Sequence, residues 1–98
     1  MSEIEVRETV RKLVAETLGL AVERATPEAK LMIELGAESI DLLDLRFRLE
    51  RSFGFGISNE DLARTFGDGV TEEAFRAALT VEALGSYVVM RLEAAVHA

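Results

Sequence analysis

Apolar residues recur with helical spacing near the beginning of the chain. Five of them return every three or four positions, which places them on one face of a helix: Val6, Val10, Leu13, Val14 and Leu18. Ser2 followed by Glu5 is the capping-box pattern that starts a helix, and Gly19 is a residue type that ends one. The pattern predicts a first helix over residues 3–18.

Four further helices are predicted along the chain. Ser39 to Phe53 is a periodic run followed at once by Gly54, so we predict a helix over 39–53. Ser58 and Thr71 are residues that cap helices and predict short helices over about 59–66, ending at Gly67-Asp68-Gly69, and over 72–79. The last helix, over 81–95, follows Thr80 and has one apolar face: Val81, Leu84, Gly85, Val88, Leu92 and Ala95.

Residues 20–38 show no such period and predict a long connection. Thr26-Pro27-Glu28 has the order of a helical turn, with threonine as the cap and proline at the first position. Apolar residues at its far end should anchor the connection on the core: Leu31, Met32, Ile33 and Leu35. We see no strand-like alternation and no repeat. Because 98 residues with 49% hydrophobic content suit a single core, we expect one all-α domain over 1–98, a small helical bundle.

The helix over 39–53 carries two apolar stripes. At 100° per residue, Leu42, Leu45, Leu49 and Phe53 fall within about 80° of one another and form the stripe that a bundle helix buries. Ile40, Leu43 and Phe47 form a second stripe, centred more than about 90° from the first. Charged residues surround it, which is typical of a docking face for a partner. The alternative is that residues 58–79 of the same chain cover it.

Charge and composition exclude several functions. The formal charge of −7 argues against nucleic acid and anionic membranes, which need a positive surface. With no cysteine, the chain has no disulfide and no thiolate nucleophile. Neither a signal-peptide pattern nor an apolar run long enough to span a membrane is present, so we expect a cytoplasmic protein. Tyr87 should flank the core with its hydroxyl near water. We expect no metal site and no catalytic residue, since His97, the one histidine, lies near the chain end, where a base is poorly held.

Ser39 lies where the connection meets the central helix. The simplest interpretation is a capping residue, whose oxygen accepts a backbone N–H of the first turn. The same place also suits a phosphate attached to the hydroxyl, because unpaired N–H groups and the positive end of the helix dipole favour an anion. Gly36 leaves the preceding backbone open to a modifying enzyme. Ser39 is therefore a physically suitable carrier of a phosphodiester.

The stretch LGAESIDLLDLRFRLERSFGFGIS, residues 35–58, resembles the signature of the acyl carrier protein family. The match is leucine-glycine-alanine, an acid, serine, an aliphatic residue and aspartate, then a helix that ends in a phenylalanine-glycine pair and an isoleucine. The resemblance extends back to the first helix and forward to TVEALGSYV, residues 80–88, leaving out about 60–79. It implies a four-helix acyl-carrier-like bundle with an additional short helix in the third-helix region.

The resemblance implies a function for Ser39. In that family a phosphopantetheinyl transferase moves 4′-phosphopantetheine from coenzyme A onto the serine, and the arm then carries an acyl group as a thioester. Partner enzymes of fatty-acid, polyketide or related synthesis dock on the following helix of a monomeric carrier through basic patches. The resemblance assigns these contacts to seven residues: Glu38, Ile40, Asp41, Leu43, Asp44, Phe47 and Glu50.

Two departures from the family stand out. Residues 39–53 are formally neutral, whereas this helix is usually acidic, so the partners are expected to be specialised. The longer region before the last helix is expected to reshape the space between helices where the family shelters its cargo. Two alternatives to an acyl carrier remain. One is an aminoacyl or peptidyl carrier, although Ala37 and Glu38 resemble the acyl type. The other is a helical adaptor that binds partners through the same face without any modification of Ser39.

Overall fold

The computed structural model describes residues 1–67 and 71–97, with side chains up to Val96. It contains five helices: α1 (Glu3–Leu18), α2 (Ser39–Phe53), α3 (Asn59–Phe66), α4 (Glu72–Ala78) and α5 (Val81–His97). A short 3-10 turn at Val22–Arg24 was not predicted. In the part of the chain described, the β-type pairing is one isolated bridge between Lys30 and Thr80. The expected all-α fold and its additional helix are confirmed.

The helix ends follow from capping, as the sequence indicated. Ser2 and Glu5 form the reciprocal capping box, with both hydrogen bonds at 3.2 Å. The hydroxyls of Ser58 and Thr71 accept backbone N–H groups at 3.0 and 3.1 Å. Gly19 closes α1 in the left-handed region, which glycine adopts without steric cost. Of the predicted end of α3 at Gly67-Asp68-Gly69, only Gly67 lies within the described residues, and the side chain of His97 lies outside them.

The core forms where α1, α2 and α5 meet. Val10 and Val14 of α1 and Val88 of α5 are fully buried, and α2 contributes Leu45 and Leu49. These residues belong to the apolar stripes predicted for their helices. α1 packs on both α5 and α2, so the bundle is built around the first helix.

The connection before α2 is anchored through its backbone. Leu31 is 0% exposed, and its N–H donates to the carbonyl of Leu79 at 3.0 Å. The Val81 N–H donates to the carbonyl of Ala29 at 3.1 Å, and the Ala37 N–H donates to that of Leu31 at 2.8 Å. The residues that lead to Ser39 are therefore held against the start of α5.

Arg91 of α5 bridges the other end of the bundle. Its Nη1 donates to Asp61 of α3 at 2.8 Å and to the Tyr87 hydroxyl at 2.7 Å, while Nη2 donates to the Gly56 carbonyl at 2.8 Å. The guanidinium also lies 4.4 Å from the ring centroid of Phe55, a cation–π distance. One side chain thus joins α5 to α3 and to the loop after α2.

The position of Tyr87 corrects an expectation. Tyr87 is 2% exposed, so the prediction that its hydroxyl lies near water is wrong. Burial raises the pKa of the Tyr87 phenol, and the hydrogen bond from Arg91 partly offsets this effect. The phenol stays neutral and serves as an internal acceptor for Arg91.

Replacement of Arg91 by methionine should lower the free energy of unfolding by about 2 kcal/mol, because three acceptors lose a charged donor. Urea denaturation measures this change. Arg64→Met is the matched control, since Arg64 pairs with the same Asp61 at 3.4 Å but is 72% exposed; it should cost less than about 0.5 kcal/mol. Equal losses in the two variants would show that the bridge does not hold α3.

Candidate functional site

Ser39 is the first residue of α2 and is exposed. The N-cap is Glu38, whose N–H donates to the Asp41 carboxylate at 2.9 Å. The interpretation of Ser39 as the capping residue is therefore wrong by one position. The hydroxyl is not the group that caps the helix, and it lies in the first turn, where backbone N–H groups lack intrahelical partners.

The backbone before Ser39 is anchored on one side and open on the other. Ala37 is buried against the core. Gly36 has φ +76°, a left-handed conformation that favours glycine, and a Cβ built at this position would have no heavy atom within 4 Å. Another molecule can therefore approach the serine along a fixed and uncrowded turn.

The second apolar stripe of α2 is exposed. Ile40 is 72% exposed, Leu43 50% and Phe47 52%, whereas Leu45 and Leu49 on the other face are buried. Coverage of this stripe by residues 58–79, the alternative interpretation, is not seen in the described part of that segment. We call Ile40, Leu43 and Phe47 the α2 face. It is an unpartnered apolar surface that starts beside Ser39.

Charged residues beside the α2 face are partly neutralised. Asp44 accepts a hydrogen bond from Arg48 at 3.1 Å, and Arg48 also donates to Glu16 of α1 at 3.1 Å. The hydrogen bond with Asp44 raises the pKa of Arg48. The acidic group expected at position 44 is thus paired within the chain, and Arg48 joins α2 to α1.

Glu50 has an internal role that the sequence did not reveal. Its Oε2 accepts the backbone N–H of Ile57 at 2.7 Å, which fixes the loop after α2. Of the seven predicted contact residues, Glu50 is the one drawn toward this loop. The others lie along the exposed side or the first turn of α2: Glu38, Ile40, Asp41, Leu43, Asp44 and Phe47.

A cavity of about 80 Å³ lies between α2, α3, α4 and α5. Its wall is apolar apart from Arg46, whose Nη1 donates to Asn59 at 2.8 Å, and Tyr87. The residues that line it include Leu42, Leu49, Leu62, Phe66, Phe75 and Leu84. Phe75 comes from the additional helix α4, so that helix lies at the cavity and not away from it. Periodicity could not show a void, since a void depends on how several helices meet.

In residues 1–67 and 71–97, no group of three or more His, Cys, Asp or Glu side chains is placed to hold a metal ion. Nor is any helix of this part of the chain long and apolar enough to cross a bilayer.

Comparison with known proteins defines the class of this chain. The profile of the family described as "Phosphopantetheine attachment site" matches residues 8–88, a range that includes Ser39 and all of α2. The chain therefore belongs to the family of phosphopantetheine-attachment domains.

Curated relatives narrow the class further. An acyl carrier protein of Thermotoga maritima is 39% identical over 69 residues, which cover 68% of this chain and 85% of the relative. An acyl carrier protein of Nitratidesulfovibrio vulgaris strain DP4 is 39% identical over 56 residues, covering 57% of this chain and 74% of the relative. The chain is thus a member of the acyl carrier protein family, whose members carry a covalently attached 4′-phosphopantetheine.

The residues of this chain fit that group. A phosphodiester needs an accessible hydroxyl, room beside it and groups that favour an anion. Exposed Ser39, the open space at Gly36 and the N-terminal turn of the 15-residue helix α2 meet these needs. The family members also work with a phosphopantetheinyl transferase and with biosynthetic enzymes.

Phe47→Arg should leave the free energy of unfolding within about 1 kcal/mol of the native value, because the ring is half exposed. It should slow modification of the chain by a phosphopantetheinyl transferase, since the partner would meet a charge in an apolar contact. Leu49→Ala, on the buried face, is the contrasting variant and should cost about 2 to 5 kcal/mol. Urea denaturation and initial rates of modification give both quantities. A Phe47→Arg protein as unstable as Leu49→Ala would assign Phe47 to the core.

Proposed function

We propose that this protein carries an acyl group as a thioester on 4′-phosphopantetheine attached to Ser39 and presents it to enzymes of fatty-acid, polyketide or related synthesis. The observation that supports this most directly is the exposed serine at the N-terminus of α2, within the matched range 8–88. In this proposal the protein is a cytoplasmic, monomeric carrier of bound substrate and not a catalyst.

The first turn of α2 gives the attachment point its chemistry. Backbone N–H groups at the helix start and the positive dipole end stabilise the negative phosphodiester on Ser39. When bound, the group supplies the terminal thiol that a chain without cysteine lacks. Because the preceding turn is anchored through Ala37 and Leu31, the serine keeps a fixed position relative to the α2 face.

The α2 face serves in this proposal as the common contact for partners. A small apolar patch with charges at its edge gives quick encounter and quick release, which a carrier that visits several enzymes requires. Glu38, Asp41 and Asp44 would receive basic side chains of the transferase and of acyl-loading or acyl-processing enzymes near the serine, and a partner would share Asp44 with Arg48. Glu50, held by Ile57, contributes less to this contact than the sequence suggested.

The cavity supports an apolar cargo. An engineered apolar cavity of about 150 Å³ holds benzene, so a space of about 80 Å³ suits an acyl chain of only a few carbons. Phe75 of α4 limits this space, which connects the additional helix with a choice of chain length. An aminoacyl cargo is the alternative within the carrier class; the largely apolar wall favours the acyl type.

Incubation with coenzyme A and a broad-specificity phosphopantetheinyl transferase should add the mass of one phosphopantetheine group, measured on the intact protein. Ser39→Ala should abolish the addition while changing the free energy of unfolding by less than about 0.5 kcal/mol, because Glu38 is the N-cap. Ser58→Ala, which removes a true cap on α3, should cost about 1 kcal/mol and keep the modification. An unmodified native protein would favour the adaptor alternative, and mass added to Ser39→Ala would place the attachment elsewhere.

Phe75→Ala should change which acyl chain stabilises the protein. The transferase can load acyl-phosphopantetheine directly from butanoyl- or octanoyl-coenzyme A. For each variant, the Tm of the acylated protein is compared with the Tm of the same protein carrying phosphopantetheine without an acyl group. The rise in Tm then measures how well the acyl chain is enclosed in the cavity. In the native protein we expect butanoyl to raise the Tm more than octanoyl does. In Phe75→Ala the rise with octanoyl should increase relative to the rise with butanoyl. Leu43→Ala changes a residue outside the cavity and should leave the larger rise with butanoyl. An unchanged order in Phe75→Ala would contradict a role of α4 in cargo choice.

A further inference from the structure

The charges along the exposed side of α2 are not uniform. Glu38, Asp41 and Asp44 lie around its N-terminal half, while Arg51 lies in its last turn. Ser39 and Arg51 are about 18 Å apart along the axis, because each residue rises about 1.5 Å. The side that holds the α2 face therefore has its acids grouped near the serine, while its far end carries the guanidinium of Arg51 next to the carboxylate of Glu50.

In the part of the chain that the structure describes, Arg51 is the cation at this far end that stays open to another molecule. Arg46 donates to Asn59, and Arg48 is held between Asp44 and Glu16. Arg51 is exposed, and it takes part in no ion pair within residues 1–67 and 71–97. Glu50, its neighbour, accepts the backbone N–H of Ile57 and forms no ion pair with Arg51 in the described part of the chain.

Arg51 also lies in line with the α2 face. It follows Phe47 by four residues, and side chains at this spacing are neighbours on a helix surface. By the helical wheel it lies within about 20° of Ile40. A surface that covers the exposed apolar residues from Ile40 to Phe47 and extends one turn further along α2 therefore meets Arg51.

We propose that the α2 face binds an enzyme surface that carries charges of both signs. Basic side chains of the enzyme lie beside its entrance for Ser39, and an apolar pocket receives the α2 face. A carboxylate about 18 Å from that entrance pairs with Arg51. This inference rests on the proposed carrier function and names its partner class. An acid in the partner matches Arg51, whereas a docking surface that is basic throughout repels it. Arg51 thus selects among partners through charge complementarity.

The test uses a phosphopantetheinyl transferase whose carrier-binding surface is basic throughout, together with a variant in which the basic residue opposite the end of α2 is changed to glutamate. The native carrier, Arg51→Glu and Arg51→Ala are each modified by both transferases, and kcat/KM is measured at low ionic strength. For the native carrier, kcat/KM should be about fivefold higher with the glutamate variant of the transferase than with the basic enzyme. For Arg51→Glu it should be about fivefold higher with the basic enzyme. For Arg51→Ala the two enzymes should give nearly equal values. At 1 M salt, where the Debye length is about 3 Å, the differences should become smaller.

Arg24→Glu is the matched control, since it makes the same change of charge at an exposed position away from α2. It should keep the native preference, which separates a local contact from the effect of net charge. Circular dichroism verifies that each variant is folded. The same preference in Arg51→Glu and the native carrier, or inversion by Arg24→Glu as well, would overturn the assignment of Arg51. No modification of the native carrier by either enzyme would instead refute the proposed carrier function.

Discussion

The attachment of the long connection to the start of α5 is the constraint on which the presentation of Ser39 depends. A connection of nineteen residues whose regular structure is the 3-10 turn at Val22–Arg24 would otherwise leave the helix start free to move, at a large cost in chain entropy when it is ordered. Buried Leu31 and the backbone hydrogen bonds of residues 29–31 with 79–81 remove that freedom. The serine is thereby held by the core while its own side chain stays in water.

The helix that follows has to satisfy two demands at once. Its buried face, through Leu45 and Leu49, joins the core, and its opposite side leaves Ile40, Leu43 and Phe47 exposed. Exposed apolar residues cost solubility, so their presence on one helix beside an accessible serine favours a contact with other proteins. The ion pairs of Arg48 add a third element, since they tie α2 to α1 and remove part of the acidic charge that the family resemblance led us to expect.

The additional helix α4 lies in the segment 60–79 that the sequence motifs of the family leave out, although the family profile spans it. It places Phe75 at a mostly apolar cavity that α2, α3 and α5 also line. Arg91 holds α3 and the loop after α2 on α5, so the same side chain supports another wall of that cavity. The proposed choice of cargo and the proposed choice of partner thus depend on different parts of the molecule, the cavity and the far end of α2.

The sequence by itself determined the helices, because their signals are local. Hydroxyl caps at Ser2, Ser58 and Thr71, the glycine after α1 and the 3.6-residue period act within a few positions of each other, and the predicted bounds agree with the structure to within two residues. It also separated the two stripes of α2 and singled out Ser39. Only the tertiary structure decided that residues 58–79, where described, leave the second stripe exposed. It also decided that Glu50 accepts the backbone N–H of Ile57 and that Arg91 donates to the hydroxyl of buried Tyr87. These contacts connect residues on different helices or loops, or depend on burial by them, and the periodicity of one helix carries no information about the position of another.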